Sequence, residues 1–313
     1  MQLIKPKFWE RRFNFISIIL IPFSLIFLLA VFIRKSFLKV NKFKIPIICI
    51  GNIYIGGTGK TPTSIFLSKE ISKLGKKTAL LRKYYKNHID EYELIKDKFN
   101  NLILCENRTD ALRKLEKSDF DLVILDDGLQ DYGIKKNISI VCFHSNQLVG
   151  NGLTLPSGPL REGLNALKEA NFVIINGKKV KDFEKKILAI NNKLEIFYSE
   201  YVATNIDQFK NRKLYAVAGI GNPENFFQLI EDNSLEIEKK FVFPDHYKFS
   251  KNEIQEIVNE AKIKNHQVIV TEKDYFKIKD FRIDNIGYLK VTLDIKLKQE
   301  LLMKIIKLYD KNN

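Results

Sequence analysis

Cysteine is scarce in this chain of 313 residues: there are three. Cys49, Cys105 and Cys142 each fall within an apolar, strand-like run, and no C-x-x-C spacing occurs. This argues against a disulfide framework or a cysteine metal site. It fits small core residues in a reducing compartment. His88, His144, His246 and His266 include no H-E-x-x-H pair, so histidine metal spacing is absent too. Internal repeats, long low-complexity tracts, zinc patterns and aromatic RNA-binding motifs are likewise missing.

Basic charge, by contrast, is in excess. Fifty-two Lys and Arg against 37 Asp and Glu give a net charge of +15, which favours a polyanionic partner. The basic residues are dispersed, and the densest cluster flanks an apolar segment. Anionic lipid therefore explains them better than nucleic acid. Hydrophobic residues make up 45% of the chain, ample for a core.

That apolar segment, "FNFISIILIPFSLIFLLAVFI" (13–33), holds no charge. As a helix it spans about 31 Å, close to the thickness of a bilayer's hydrocarbon layer. Asn14, Ser17, Pro22 and Ser24 offset only part of its hydrophobicity. It is too long for a signal peptide, and no small-residue cleavage site follows. Lys5, Lys7, Arg11 and Arg12 precede it; Arg34, Lys35, Lys39, Lys42 and Lys44 follow. The downstream cluster favours a cytoplasmic body. With both flanks basic, a single span and a half-inserted element bent at Pro22 stay open.

From about residue 45, short apolar runs alternate with amphipathic segments. Strands are expected at 45–51, 77–81, 101–105, 121–127, 138–143 and 172–177, and helices near 60–74, 108–117 and 161–169. The pattern predicts an α/β fold with a P-loop-like, mostly parallel sheet and helices on both faces. A second, smaller α/β lobe follows. The expected organisation is an N-terminal membrane-associated helix (1–40), a core lobe (41–195) and a C-terminal lobe (196–313).

"GNIYIGGTGKTP" (51–62) joins a strand to a helix. It departs from strict G-x-x-x-x-G-K-[ST] because Tyr54 stands at the first glycine position. The physics survives: Gly56, Gly57, Thr58 and Gly59 let backbone amides converge on phosphate oxygens, with Pro62 in the following helical turn. Lys60 is placed to bridge the β- and γ-phosphates, and Thr61 to ligate magnesium. "DLVILDDGLQD" (121–131) ends an apolar strand on Asp126 and Asp127, the Walker B carboxylates. Strand alternation is expected to send them to opposite sides, with either one on the metal. Together these motifs predict binding of ATP or GTP with Mg2+.

Six blocks carry a more specific resemblance: "GNIYIGGTGKTP", "LDDGLQ" (125–130), "LPSGPLRE" (155–162), "AGIGNPENFF" (218–227), "FPDH" (243–246) and "TEKD" (271–274). In this order they resemble the tetraacyldisaccharide 4′-kinase (lipid A 4′-kinase) family. The resemblance implies ATP-dependent phosphorylation of the 4′-hydroxyl of a tetraacylated glucosamine disaccharide 1-phosphate, at the cytoplasmic face of the inner membrane. It implies no obligate protein partner. It also implies that Asp90 of "HIDEYEL" (88–94) is the general base, paired with His246, with Lys60 and Asp127 completing the catalytic set. Arg82, Gln130, Arg161, Glu162 and Lys273 are implied as cleft residues. Blander roles compete for three of them: a helix-start ion pair for Arg161 and Glu162, and for the "TEKD" block a helix cap made by Thr271 and Asp274. The chain departs from the family where "LRKYYKN" (81–87) replaces a glycine-rich segment and Asp131 replaces a histidine. The alternative reading is a membrane-anchored P-loop ATPase switch cycling with a protein partner.

Overall fold

The computed structural model describes residues 6–11, 14–86, 88–245 and 247–311. His246, expected to partner the base, lies outside them. The chain folds as two compact units: 5–84, 101–200 and 295–313 in one, 85–100 and 201–294 in the other. The expected lobes are contiguous in sequence, whereas these units interleave. Residues 85–100 join the smaller unit and residues 295–313 return to the larger.

In the larger unit, α1 (Phe15–Phe37) is followed by β1 (Ile47–Gly51), α2 (Lys60–Lys73) and β2 (Thr78–Lys83). After α3 (Ile89–Lys98), which belongs to the other unit, come β3 (Leu102–Cys105), α4 (Arg108–Leu115) and β4 (Leu122–Asp126). Next are β5 (Ile138–His144), β6 (Phe172–Asn176), α5 (Lys181–Leu188) and β7 (Glu195–Ala203). Through these strands the sheet order is β7-β6-β5-β1-β4-β2-β3. The pairings from β3 through β7 are parallel. β1, β4, β5 and β6 are buried along their whole length, as strands covered on both faces must be. Cys49, Ala79, Leu81, Val123 and Leu125 pack with Leu112 and Leu115 of α4, and Cys142 is also buried. Cys49 and Cys142 take the expected core role, whereas Cys105 is only half-buried.

The smaller unit holds β8 (Lys213–Ala218), α6 (Pro223–Asp232), β9 (Glu236–Val242), α7 (Lys251–Ile263), β10 (Gln267–Thr271), α8 (Glu272–Ile278) and β11 (Ile286–Leu289). Its sheet, β11-β10-β8-β9, is wholly parallel. Alternation along β8 divides two cores. Leu214, Ala216 and Ala218 meet Phe226, Phe227 and Ile230 of α6. Tyr215 and Val217 meet Ile254, Ile257 and Val258 of α7. Ser250 and Glu253 close a capping box at the start of α7. The chain ends with α9 (Lys298–Lys311), part of the larger unit.

α1 is capped by Asn14, whose side chain accepts from the Ile16 amide at 2.9 Å. It continues through Pro22. Among the described residues it is the one helix long and apolar enough to cross a membrane. Its Phe, Ile and Leu side chains are largely exposed, while Ser17 and Ser24 are buried. Seven residues, two helical turns, separate the serines, so they share one face. Asn151 donates to Ser17 at 3.2 Å, and Ser24 donates to Thr154 O at 2.8 Å and to Ser157 at 2.8 Å. Trp9, just upstream, donates to Pro156 O at 3.0 Å. Asn151, Thr154 and Ser157 therefore dock the apolar helix through that helix's few polar groups.

Candidate active site

β1 sits between β4 and β5 in the larger sheet, the switch point where α/β sheets open a ligand crevice at their carboxyl ends. The register sets Ile50 beside Asp126, and the Asp127 amide donates to Ile50 O at 2.9 Å. The loop after β1 and the end of β4 are thereby brought together. Gly56 (φ 128°) and Gly59 (φ 90°) occupy backbone regions that side chains rarely adopt. Asn52 braces the loop by donating to Gly56 O at 3.3 Å and to Thr58 at 3.0 Å. Gly59 is the N-cap of α2, and Lys60 and Thr61 begin it. Pro62 falls within the first turn, where a missing N–H is tolerated.

Close approach, not backbone freedom, explains Gly51. A Cβ there would lie 2.5 Å from Leu129 Cβ. Gly51→Ala is expected to destabilise the fold by about 1–3 kcal/mol through overpacking. Urea unfolding measures this; an unchanged midpoint would contradict the packing described.

The two carboxylates do not part as strand alternation predicts. β4 ends at Asp126, and Asp127 turns out of it with φ 55°. Asp126, fully buried, accepts from Thr61 at 3.0 Å, from Ser64 at 3.1 Å and from Arg82 at 2.5 Å. Arg82 also donates to Thr61 at 2.8 Å. Asp127 lies 3.0 Å from Arg161 and 3.9 Å from Lys60. Asp126 thus faces the Thr61 hydroxyl and Asp127 the Lys60 ammonium. Burial pushes the Lys60 pKa down, partly offset by Asp127. Burial also opposes charge on Asp127, but Lys60 and Arg161 outweigh it and hold that carboxyl below its usual range.

The remaining expected cleft residues of this unit join the same network. Gln130 donates to Glu162 at 3.0 Å and accepts from Arg161 at 3.3 Å. The expected helix over 161–169 is shorter, a 3-10 turn at Leu164–Glu169. Arg161 and Glu162 lie before it and pair elsewhere, so neither forms a helix-start ion pair. Asp131 binds Arg108 at 2.5 Å, and Arg108 donates to the carbonyls of Asp126 (2.6 Å) and Asp127 (3.2 Å). The departure at Asp131 thus supplies an anchor for the turn that carries both carboxylates.

In the smaller unit, Asp90 lies in the first turn of α3. Lys273 pairs with Glu91 at 3.1 Å and with Asp245 at 3.4 Å. Burial opposes the charge of Lys273, yet Glu91, Asp245 and Asp90 together raise its pKa. Thr271 caps α8, accepting from the Asp274 amide at 3.0 Å and donating to the Asp274 carboxylate at 2.7 Å. The expected cap and an electrostatic role for Lys273 therefore coexist.

Sequence reasoning did not single out Ser64, Asn52, Arg108 or the Lys35–Glu162 contact. Ser64 had a legible signal, one helical turn after Lys60. Arg108 had none, because its partners are 18 to 23 residues away in sequence.

Comparison with known proteins places this geometry in a family. The profile of the family described as tetraacyldisaccharide-1-P 4′-kinase (LpxK) matches residues 16–309. The chain is 41% identical to the tetraacyldisaccharide 4′-kinase of Pelagibacter ubique, over all of both chains. It is 34% identical to the enzyme of that name from Francisella tularensis subsp. novicida, covering 92% of this chain and 98% of the relative. Among solved structures, LpxK from Aquifex aeolicus, determined in complex with ATP, shares the fold with a TM-score of 0.72 at 22% identity. That match covers 93% of this chain and 99% of the other. With a family match over nearly its whole length and relatives of this identity, the chain belongs to the tetraacyldisaccharide-1-P 4′-kinase family.

Proposed function

We infer that this chain is an ATP-dependent kinase that phosphorylates the 4′-hydroxyl of a tetraacylated glucosamine disaccharide 1-phosphate, as in lipid A biosynthesis. The observation that carries the reading is the convergence of Lys60, Thr61, Asp126 and Asp127 at the start of α2. The phosphates of ATP fit the amides of residues 56–61 and the positive end of α2. The lowered pKa of Lys60 marks a poorly solvated cation, for which a γ-phosphate is a favourable partner.

The donor set suits magnesium. Thr61 and Asp126 present hard oxygen atoms 3.0 Å apart. Magnesium takes one or two protein oxygens and completes its shell with phosphate and water. Thr61 and Asp126 would hold it, and it would neutralise charge on the phosphates. Asp127 stays ionised between Lys60 and Arg161 and keeps both cations directed at the phosphate position. Asp90 accepts the proton of the sugar hydroxyl, and His246 orients it, in the roles that the family resemblance gives them.

α1 presents its exposed apolar face to the bilayer, and the basic residues beside it meet anionic headgroups. This supports a location at the cytoplasmic face of the inner membrane, where a multiply acylated substrate resides. The test is incubation of the detergent-solubilised protein with ATP, magnesium and the disaccharide 1-phosphate, followed by mass spectrometry. A bisphosphorylated lipid is expected. ATP hydrolysis that proceeds without lipid, and yields no such product, would replace the kinase with the ATPase switch.

A further inference from the structure

A continuous set of polar contacts links the apolar helix to the phosphate-loop lysine. Lys35, near the end of α1, sits 2.6 Å from Glu162 Oε2. It also lies over the ring of Tyr132, 4.2 Å from the centroid. The other carboxylate oxygen, Oε1, accepts from Gln130. Gln130 Oε1 accepts from Arg161, the same guanidinium nitrogen reaches Asp127 Oδ1, and that oxygen faces Lys60. Every member belongs to the larger unit.

We propose that Lys35 is a positioning residue for phosphoryl transfer: the membrane-facing helix fixes Glu162 and, through Gln130 and Arg161, the Asp127–Lys60 pair. The physical reason is charge. Glu162 is buried, and a buried carboxylate that loses its cation is expensive to keep in place. It then draws on Gln130 or turns toward solvent. Gln130 both donates and accepts, with its amide nitrogen on Glu162 and its amide oxygen on Arg161, so a shift at one end is passed to the other. Arg161 in turn sets the direction of Asp127. α1 is pinned along its length by Ser17 and Ser24 as well as Lys35. Displacement of the helix therefore reaches the phosphate loop. In this way seating in lipid and readiness for transfer are coupled.

The inference rests on the kinase reading, and the experiment separates the two. Lys35→Met keeps the aliphatic stem and removes the charge. It is expected to lower kcat roughly ten- to a hundredfold while KM for ATP stays within about twofold, because positioning and not nucleotide binding is lost. Lys35→Arg is expected to restore most of the rate. The double variant with Glu162→Gln is expected to be no slower than Glu162→Gln alone, since both break one link. Amide hydrogen exchange supplies a readout independent of turnover: Lys35→Met is expected to speed exchange at 127–131 and 160–162 and to leave β8 and β10 unchanged. Wild-type turnover in Lys35→Met, or rate losses that multiply in the double variant, or unaltered exchange, overturns the inference. Absence of product from the wild type overturns the kinase reading instead, and the exchange comparison still decides this one.

Discussion

Asp90→Ala is expected to lower turnover by roughly 10²–10⁴-fold, the range for loss of a general base, with ATP affinity unchanged. Asp90 opens α3 in the smaller unit, whereas residues 56–62 lie in the larger. Removing its carboxylate therefore leaves the nucleotide loop intact. Asp90 also sits within the electrostatic reach of Lys273, a half-buried ammonium whose pKa it helps to raise. The measurement pairs steady-state kinetics on the lipid acceptor with calorimetric ATP binding. Loss of turnover with ATP binding retained supports the role. Near-normal turnover would remove Asp90 from the mechanism. Loss of both would make its role structural.

The parts of the structure legible in the sequence are those fixed by local physics. The strand–glycine–Lys–Thr–helix run gives β1, the loop and α2 almost to the residue, because glycine conformations and helix polarity act within a dozen positions. The central strands of the larger sheet, β1, β4, β5 and β6, are legible as continuous apolar runs, since burial on both faces demands them. In the smaller sheet β8 and β10 are legible in the same way, whereas β9, "EIEKKFV", is charged and largely exposed and carries no such run. α3 is not foreseen: "IDEYELIKDK" is rich in charge and buries only Tyr92 and Ile95, so its apolar signal is thin. Ser17 and Ser24 read as deductions from hydrophobicity, although their two-turn spacing marks a docking face. The turn at Asp127 escapes the alternation rule because the rule ends where the strand ends, and no local pattern announces a left-handed aspartate. Also invisible are the contacts of Lys35 with Glu162 and of Arg82 with Asp126, which are 127 and 44 residues apart. Such pairs are set by topology, and one sequence holds no trace of them.

Asp126→Ala is expected to cost about 3–5 kcal/mol, the effect of stripping one partner from a buried ion pair. That is a large share of the roughly 5–15 kcal/mol that holds a typical domain folded. Three groups lose an acceptor at once: the hydroxyls of Thr61 and Ser64 and the guanidinium of Arg82. The hydroxyls can turn to carbonyls of their own helix; Ser64 already donates to Lys60 O at 3.0 Å. The guanidinium cannot shed its charge, so most of the cost falls on it. This makes a further outcome calculable. Adding Arg82→Met to Asp126→Ala removes the stranded cation and is expected to recover part of the loss, although each single change destabilises. Denaturant unfolding of the wild type, both single variants and the double variant closes the cycle. If Asp126→Ala lies within about 1 kcal/mol of wild type, or the double variant is the least stable of the four, the buried pair is not what holds the end of β4 against α2. If the cycle closes as expected, the same carboxylate that organises the nucleotide loop also secures the fold around it. Substitutions there will then confound activity with stability unless both are measured.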